Sequence, residues 1–142
     1  MAKIEELNEN DIFYACRNGD LETLTLLIEK GVDINQTDND NYTLLIHACI
    51  KGNFEIVKFL IEKGADINKG DNFLQTPIDF VTCNHYYQSN NDMESYKERL
   101  KIVKFLIAKG AYINKTDKNG KTPFHNACLY GNLEVVKFLI AK

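Results

Sequence analysis

The residues of this sequence that could carry out chemistry are its cysteines and histidines. His125 and Cys128 lie three positions apart, a spacing at which a base could activate a thiol as a nucleophile. Cys83 and His85 could begin a metal site. Two candidate ligands fall short of the four that a closed zinc site needs, so we do not expect metal binding there.

Two acidic turns resemble the start of a calcium-binding loop. Asp38 and Asp40 form the first, and Asp117 with Asn119 forms the second. Neither has the acidic residue at the twelfth position that completes such a loop, so we interpret both as ordinary turns. The sequence also lacks a phosphate-binding loop, a nucleophile elbow and a recognisable pair of catalytic carboxylates. We therefore expect no metal, no cofactor and no enzymatic activity.

Charge and hydropathy exclude several classes of partner. The 142 residues carry a net charge of −3 at pH 7, which is not the basic balance that nucleic acids or anionic membranes attract. No apolar run is long enough to span a membrane, and the first residues lack the apolar segment of a signal peptide. We expect no nucleic acid, no membrane insertion and a cytoplasmic location with reduced cysteines. A nuclear location and delivery into a host cell stay open.

Three short motifs recur along the sequence in one register. The string Gly-x-x-Ile-Asn begins at Gly31, Gly64 and Gly110, so its copies are 33 and 46 residues apart. Threonines repeat the same two steps, at Thr43, Thr76 and Thr122. The sequence is therefore organised as a 33-residue repeat with 13 extra residues in the third unit.

Each unit has the pattern of two helices followed by a turn. At Thr122 and Pro123 a capping hydroxyl precedes a proline at the first helical position. The second helix, exemplified by residues 54–61, is apolar over most of its surface. It ends before Gly64, which can adopt a left-handed turn. The following Asp, Asn and Gly residues are typical of a projecting hairpin.

These motifs resemble those of the ankyrin repeat. The segment from Thr122 to Ala127 is similar to the family's Thr-Pro-Leu-His-x-Ala pattern, and the Gly-Ala-Asp-Ile-Asn string at 64–68 is similar to its hairpin sequence. The resemblance implies an all-α solenoid in which helix-turn-helix units are joined by β-hairpin-like loops. It covers a single domain, residues 1–142, with units near 4–36, 37–69, 70–115 and 116–142, the last incomplete.

The resemblance also gives the cysteines and His125 structural roles. Cys16, Cys49 and Cys128 share a register at which the family usually has a small buried residue. Packed helices hold such positions roughly 8–10 Å apart, too far for a disulfide. His125 falls on a histidine position that hydrogen-bonds between adjacent repeats. Cys83 lies in another register, where we predict a more exposed thiol.

The insertion falls between the two helices of the third unit, near residues 84–98. Residues 89–92 have the composition of a loop, and Asn91 with Glu94 resembles a capping box. Apolar residues then recur at helical spacing from Met93 to Val103. We therefore predict that both helices of this unit are lengthened, by about 10 Å each, with the turn near 88–92.

Ankyrin proteins usually bind other proteins through the hairpin tips and the exposed side of the first helices. Carried onto this sequence, that surface comprises Arg17, Asp40, Tyr42, Ile50, Lys51, Phe73, Gln75, Lys118, Lys121, Leu129 and Tyr130. The insertion is a second candidate, through Tyr86, Tyr87 and Tyr96. The same tyrosines could instead pack the lengthened helices together, and both alternatives stay open.

The resemblance implies a non-catalytic scaffold or adaptor that binds a protein partner. Two alternatives remain. The fourth unit keeps an apolar second helix through Val135 and Leu139, whereas a terminal repeat normally has a polar outer face. This C-terminal face could therefore support self-association. The segment could also be the regulatory portion of a larger enzyme, channel or effector.

Overall fold

Four pairs of helices stacked side by side form the structure. The computed structural model describes residues 11–83 and 93–142. Its helices are α1 (Asp11–Asn18), α2 (Leu21–Glu29), α3 (Leu44–Lys51), α4 (Phe54–Glu62), α5 (Pro77–Thr82), α6 (Met93–Ala108), α7 (Pro123–Leu129) and α8 (Leu133–Ile140). Successive pairs make units 1 to 4. Within the described residues the one β-bridge lies between Thr37 and Thr43, at the base of a hairpin. The all-helical repeat architecture is confirmed.

The helices begin where the sequence provides side-chain caps. Thr43 Oγ1 accepts a hydrogen bond from the N–H of Ile46 at 3.1 Å and caps α3. Asn53 Oδ1 accepts from the N–H of Ile56 at 3.2 Å and caps α4. Each cap satisfies one of the amide groups that a helix leaves free at its start. Local sequence therefore sets where each helix begins.

Equivalent leucines of successive units form a continuous core. Leu27, Leu60, Leu106 and Leu139 are all buried. Burying a leucine contributes about 1.5–3 kcal/mol, so each unit depends on its neighbours for stability. A polar contact joins the first two units as well, because the Cys16 thiol donates to the carbonyl oxygen of Leu44 at 3.2 Å.

The hairpins are linked along the stack by asparagine side chains. Asn35 Oδ1 accepts from the N–H of Asp66 at 2.8 Å, joining the hairpins of units 1 and 2. Asn68 repeats this with the N–H of Tyr112 at 3.0 Å and also donates to the carbonyl of Gly110 at 3.2 Å. These bonds connect each Gly-x-x-Ile-Asn segment to the next one along the stack.

The third unit departs from our prediction. Its second helix is lengthened, since α6 has 16 residues against nine in α4. Its first helix is not, because α5 ends at Thr82 after six residues. The chain leaves the helix at Cys83, whose backbone is extended (φ −89°, ψ 105°), although its N–H still donates to the carbonyl of Asp79 at 3.0 Å. The predicted turn near 88–92 and the capping box lie outside the described residues.

The extra turns of α6 rest on a buried arginine. Seven residues, Met93 to Arg99, precede the position that begins α4 in unit 2, which adds about 10 Å to the helix at 1.5 Å per residue. Arg99 is 1% exposed, and its Nη1 donates to the carbonyl of Val81 near the end of α5 at 3.4 Å. A charged side chain thus joins the extension to the first helix of its own unit.

Candidate functional site

The hairpin tips are built on three equivalent aspartates. Oδ1 of each carboxylate accepts hydrogen bonds from the backbone N–H groups two and four residues later. The distances are 2.9 and 2.9 Å for Asp38, 2.9 and 2.9 Å for Asp71, and 2.8 and 3.0 Å for Asp117. These carboxylates therefore serve as turn residues, as we predicted for Asp38 and Asp117. In each tip, the side chains that directly follow the aspartate face solvent.

One backbone position in each tip is left-handed, and unit 3 fills it with a leucine. The φ angle is 62° at Asn41, 59° at Leu74 and 74° at Gly120. Gly and Asn adopt this conformation readily, whereas a bulky side chain there costs roughly 1–2 kcal/mol. Such strain persists only where the surrounding structure imposes it, and it is concentrated at functional positions. Leu74 is thus a candidate that spacing and composition did not reveal.

The same tip exposes two adjacent apolar side chains. Phe73 is 61% exposed and Leu74 is 47% exposed. The carbonyl of Phe73 accepts from the N–H of Lys118 at 3.0 Å, so the backbone beneath the phenyl ring is held by the hairpin of unit 4. A large aromatic group on a fixed backbone loses little conformational freedom on binding, which is typical of binding hot spots.

Two protein-family models match this sequence. A model of ankyrin repeats in three copies matches residues 5–89, and a model of ankyrin repeats in many copies matches residues 93–140. The chain belongs to the ankyrin-repeat family. Ankyrin repeats are generally protein–protein interaction modules, and proteins built from them are typically non-catalytic. A search for similar sequences among curated proteins gives no match.

The structure places the predicted ankyrin binding residues in two groups. Those with exposed side chains are Arg17, Asp40, Lys51, Phe73, Lys118, Lys121 and Leu129. Those with partly buried side chains are Tyr42, Ile50, Gln75 and Tyr130. The exposed group lies at the hairpin tips and the C-terminal ends of the first helices, the regions from which ankyrin repeats form a continuous surface.

Tyr42 is part of the packing between repeats. The centre of its ring lies 5.8 Å from that of His47 and 5.3 Å from that of Phe80 in the next unit. Both contacts are edge to face. His47 Nε2 lies 2.6 Å from Asp38 Oδ2. Burial lowers the pKa of His47, although its bond to the Asp38 carboxylate acts in the opposite direction. Much of the Tyr42 ring is therefore committed to packing within the chain.

The insertion tyrosines are only partly within the described structure. Tyr86 and Tyr87 lie outside the described residues. Tyr96 lies in the first turns of α6 and is partly buried. Its ring lines a cleft of about 270 Å³ between α6 and the start of α8, together with Leu100 and Leu133. The insertion thus contributes a concave surface, which the sequence pattern alone did not show.

One of the cysteine predictions is wrong. Cys16 and Cys49 are buried as expected, and burial raises the pKa of the Cys16 thiol to about 12 and that of Cys49 still further. Cys128 shares their register but is exposed, because among the described residues no further helix pair packs on α7 and α8. Cys83 is partly exposed, in line with its different register.

The histidine position of the ankyrin motif is filled by His125 in unit 4 and by Asp79 in unit 3. In unit 4 the N–H of Thr122 donates to His125 Nδ1 at 3.1 Å, so the bonds of His125 lie within its own repeat rather than between repeats. In unit 3 the N–H of Thr76 donates to Asp79 Oδ2 at 3.0 Å. Asp79 is buried and its Oδ1 has no hydrogen-bond partner. Burial, together with the nearby Asp117 carboxylate, raises the pKa of Asp79 to about 6.

The described part of the chain has neither a metal-binding cluster nor a membrane-spanning helix. Among residues 11–83 and 93–142, no three His, Cys, Asp or Glu side chains are grouped so that they could hold a metal ion. Over those ranges, no helix is both long enough and apolar enough to cross a bilayer.

Proposed function

We propose that this ankyrin domain is a scaffold or adaptor that binds a protein partner through its hairpin tips and the ends of its first helices. The exposed Phe73 and Leu74 on their constrained backbone carry this proposal. Lys118 and Lys121 of the neighbouring tip and the exposed Leu129 of α7 would extend the contact. An apolar centre with a charged rim is the usual anatomy of a protein interface.

Affinity capture from source cells, followed by direct titration of the captured protein, tests the proposal. We expect Phe73→Ser with Leu74→Ser to weaken binding by tenfold or more, about 1.4 kcal/mol. The matched control is Phe124→Ser, which removes an exposed phenyl ring at the start of α7. Circular dichroism establishes that each variant is folded.

Each outcome assigns the interaction differently. Loss of the partner by the double variant, with retention by Phe124→Ser, supports the hairpin surface. Retention by the double variant and loss by Tyr96→Ser moves recognition to the insertion. Retention by both contradicts both surfaces.

A second candidate, self-association through the fourth unit, is favoured by a comparison of equivalent residues. Leu45 in unit 2 is 1% exposed because unit 3 covers it, whereas its equivalent Phe124 is 40% exposed. Cys128 and Ile140 are exposed on the same unit. Apolar residues that one repeat buries against the next form a surface on which another helical repeat could pack.

Sedimentation velocity over a wide range of protein concentrations tests this second candidate. We expect a larger species at high concentration that Phe124→Ser with Ile140→Ser abolishes. Phe73→Ser is the matched control, since it removes an exposed ring from a hairpin. A monomer at every concentration would contradict self-association and leave the first proposal unaffected.

A further inference from the structure

The small net charge of this chain conceals a strong separation of charge along it. Residues 93–142 contain ten Lys and Arg but four Asp and Glu, a net charge of +6. Residues 1–92 contain seven basic and sixteen acidic residues, a net charge of −9. Because opposite signs lie in different parts of the stack, the C-terminal part attracts anions although the whole chain is acidic.

The outer helices of units 3 and 4 present much of this positive charge. Their exposed lysines are Lys101, Lys104, Lys109, Lys137 and Lys142, and we call the surface they form the α6–α8 face. Equivalent residues of the two units lie 33 positions apart, so Lys104 adjoins Lys137 and Lys109 adjoins Lys142. Like charges repel, and an acidic ligand would relieve that repulsion.

Four of these five lysines lie over phenyl rings. The Nζ of Lys101 lies 4.2 Å from the centre of the Phe54 ring. Lys104 and Lys142 lie 5.5 and 5.2 Å from the ring of Phe138. Side chains that rest on aromatic rings lose less conformational freedom on binding than free ones. Only Lys137 of this face has a carboxylate neighbour among the described residues, Glu134 at 3.6 Å.

An apolar cleft lies at one end of the same face. Tyr96, Leu100 and Leu133 line it, and Leu133 is 60% exposed. The cleft volume of about 270 Å³ suits one large side chain. Asn132, also in its wall, has a buried Nδ2 without a hydrogen-bond partner, which could donate to a backbone carbonyl of a ligand.

We infer that the α6–α8 face binds an acidic peptide segment of a protein partner. One large apolar side chain of the segment enters the cleft beside Leu133, and its carboxylates lie along Lys104, Lys137 and the neighbouring lysines. This inference rests on the proposed protein-binding function and names the chemistry of the partner. The site is separate from the Phe73 hairpin.

The distribution of charge favours a short acidic peptide over a longer polyanion. A nucleic acid duplex or a lipid surface would extend past the basic face, and the −9 charge of residues 1–92 would repel it. A peptide confined to two helices avoids that repulsion. A cleft that accepts one apolar side chain also suits a peptide better than a phosphate backbone.

Fluorescence anisotropy with a defined probe tests the inference. The probe is a short fluorescein-labelled peptide of Asp, Glu and Ser with one central Leu. We expect saturable binding to the intact chain that weakens with salt, since screening reduces attraction between exposed charges. Lys104→Glu with Lys137→Glu should weaken it about tenfold or more, because each reversal replaces an attraction with a repulsion. Lys115→Glu, which reverses an exposed lysine in the loop between α6 and α7, is the control and should change little.

A second pair of variants tests the cleft. Leu133→Ser should weaken binding of the Leu-bearing peptide but not of a peptide with Ser in place of its Leu. Leu21→Ser alters the equivalent exposed residue of α2 and should affect neither. All these positions are exposed, so the variants should fold.

Several outcomes would overturn the inference. These are equal binding of a lysine-rich peptide, indifference to Lys104→Glu with Lys137→Glu, and tighter binding of a DNA duplex or of phosphatidylserine vesicles than of the acidic peptide. If the peptide fails to bind while a partner is lost on Phe73→Ser with Leu74→Ser, the inference is wrong and the proposed function stands.

Discussion

Replacing Asp79 by Asn should remove a pH-dependent weakness from the third repeat. The pKa of this buried carboxyl rises from 3.8 to about 6. The pKa of Asp79 is higher in the folded state than in the unfolded state. The stability that the neutral carboxyl contributes is therefore complete below pH 3.8 and is lost as the pH rises through 6. Each unit of pKa difference corresponds to about 1.4 kcal/mol, so ionised Asp79 costs the fold about 3 kcal/mol at pH 8.

The asparagine keeps the capping oxygen that Thr76 uses but cannot ionise. Urea unfolding followed by circular dichroism at pH 4, 6 and 8 measures the effect. The unfolding free energy of Asp79→Asn minus that of the unmodified chain should increase by about 2.4 kcal/mol from pH 4 to pH 8, and most of this increase should occur between pH 4 and pH 6. Any constant cost of burying the amide cancels in this difference between pH values.

The control is Glu55→Gln, an exposed acid on α4, for which the difference should stay nearly constant. A pH-independent difference for Asp79→Asn, or one that falls as pH rises, would refute the reasoning. It would mean that burial does not hold the carboxyl in its neutral form.

Three further predictions concern strain, thiols and the hairpin links. Leu74→Asn should raise the unfolding free energy by up to about 1 kcal/mol, because Asn accepts a left-handed backbone. The same change should weaken partner binding. A lowered melting temperature of this variant would contradict the stability prediction. In a thiol-labelling assay Cys128 should react in the folded chain and Cys49 only on unfolding, so protection of Cys128 would show that its face is covered. Asn68→Ala should cost about 1–2 kcal/mol in chemical denaturation because it removes two bonds to the next hairpin, whereas the exposed Asn114 should tolerate the same change.

The basic surface of this chain cannot be recognised from its overall net charge. Net charge alone predicted no electrostatic preference, but that average combines an acidic part with a basic part. The lysines beside Phe54 and Phe138 form one surface only because helices far apart in sequence lie next to each other. A partner that recognises the α6–α8 face would leave the Phe73 hairpin free for a second contact.

The sequence by itself determined the architecture of this protein. The 33-residue spacing of Thr43 and Thr76, the helix caps and the hairpin aspartates act through local contacts, which the order of residues specifies directly. Units 1, 2 and 4 therefore have the paired helices that the pattern predicted, whereas in unit 3 only the second helix is lengthened. The family match follows from the same motifs.

Only the tertiary structure decided which side chains remain available for binding. Tyr42 and Phe73 are both aromatic residues of hairpins, yet one packs on Phe80 of the next unit and the other faces solvent. Cys128 has the same local sequence context as Cys49, but its exposure depends on whether another unit packs against it. Burial depends on contacts between units, and a repeating sequence cannot show which of its equivalent positions has a neighbour. For the same reason the early end of α5 and the cleft beside Leu133 became visible only once the repeats were stacked.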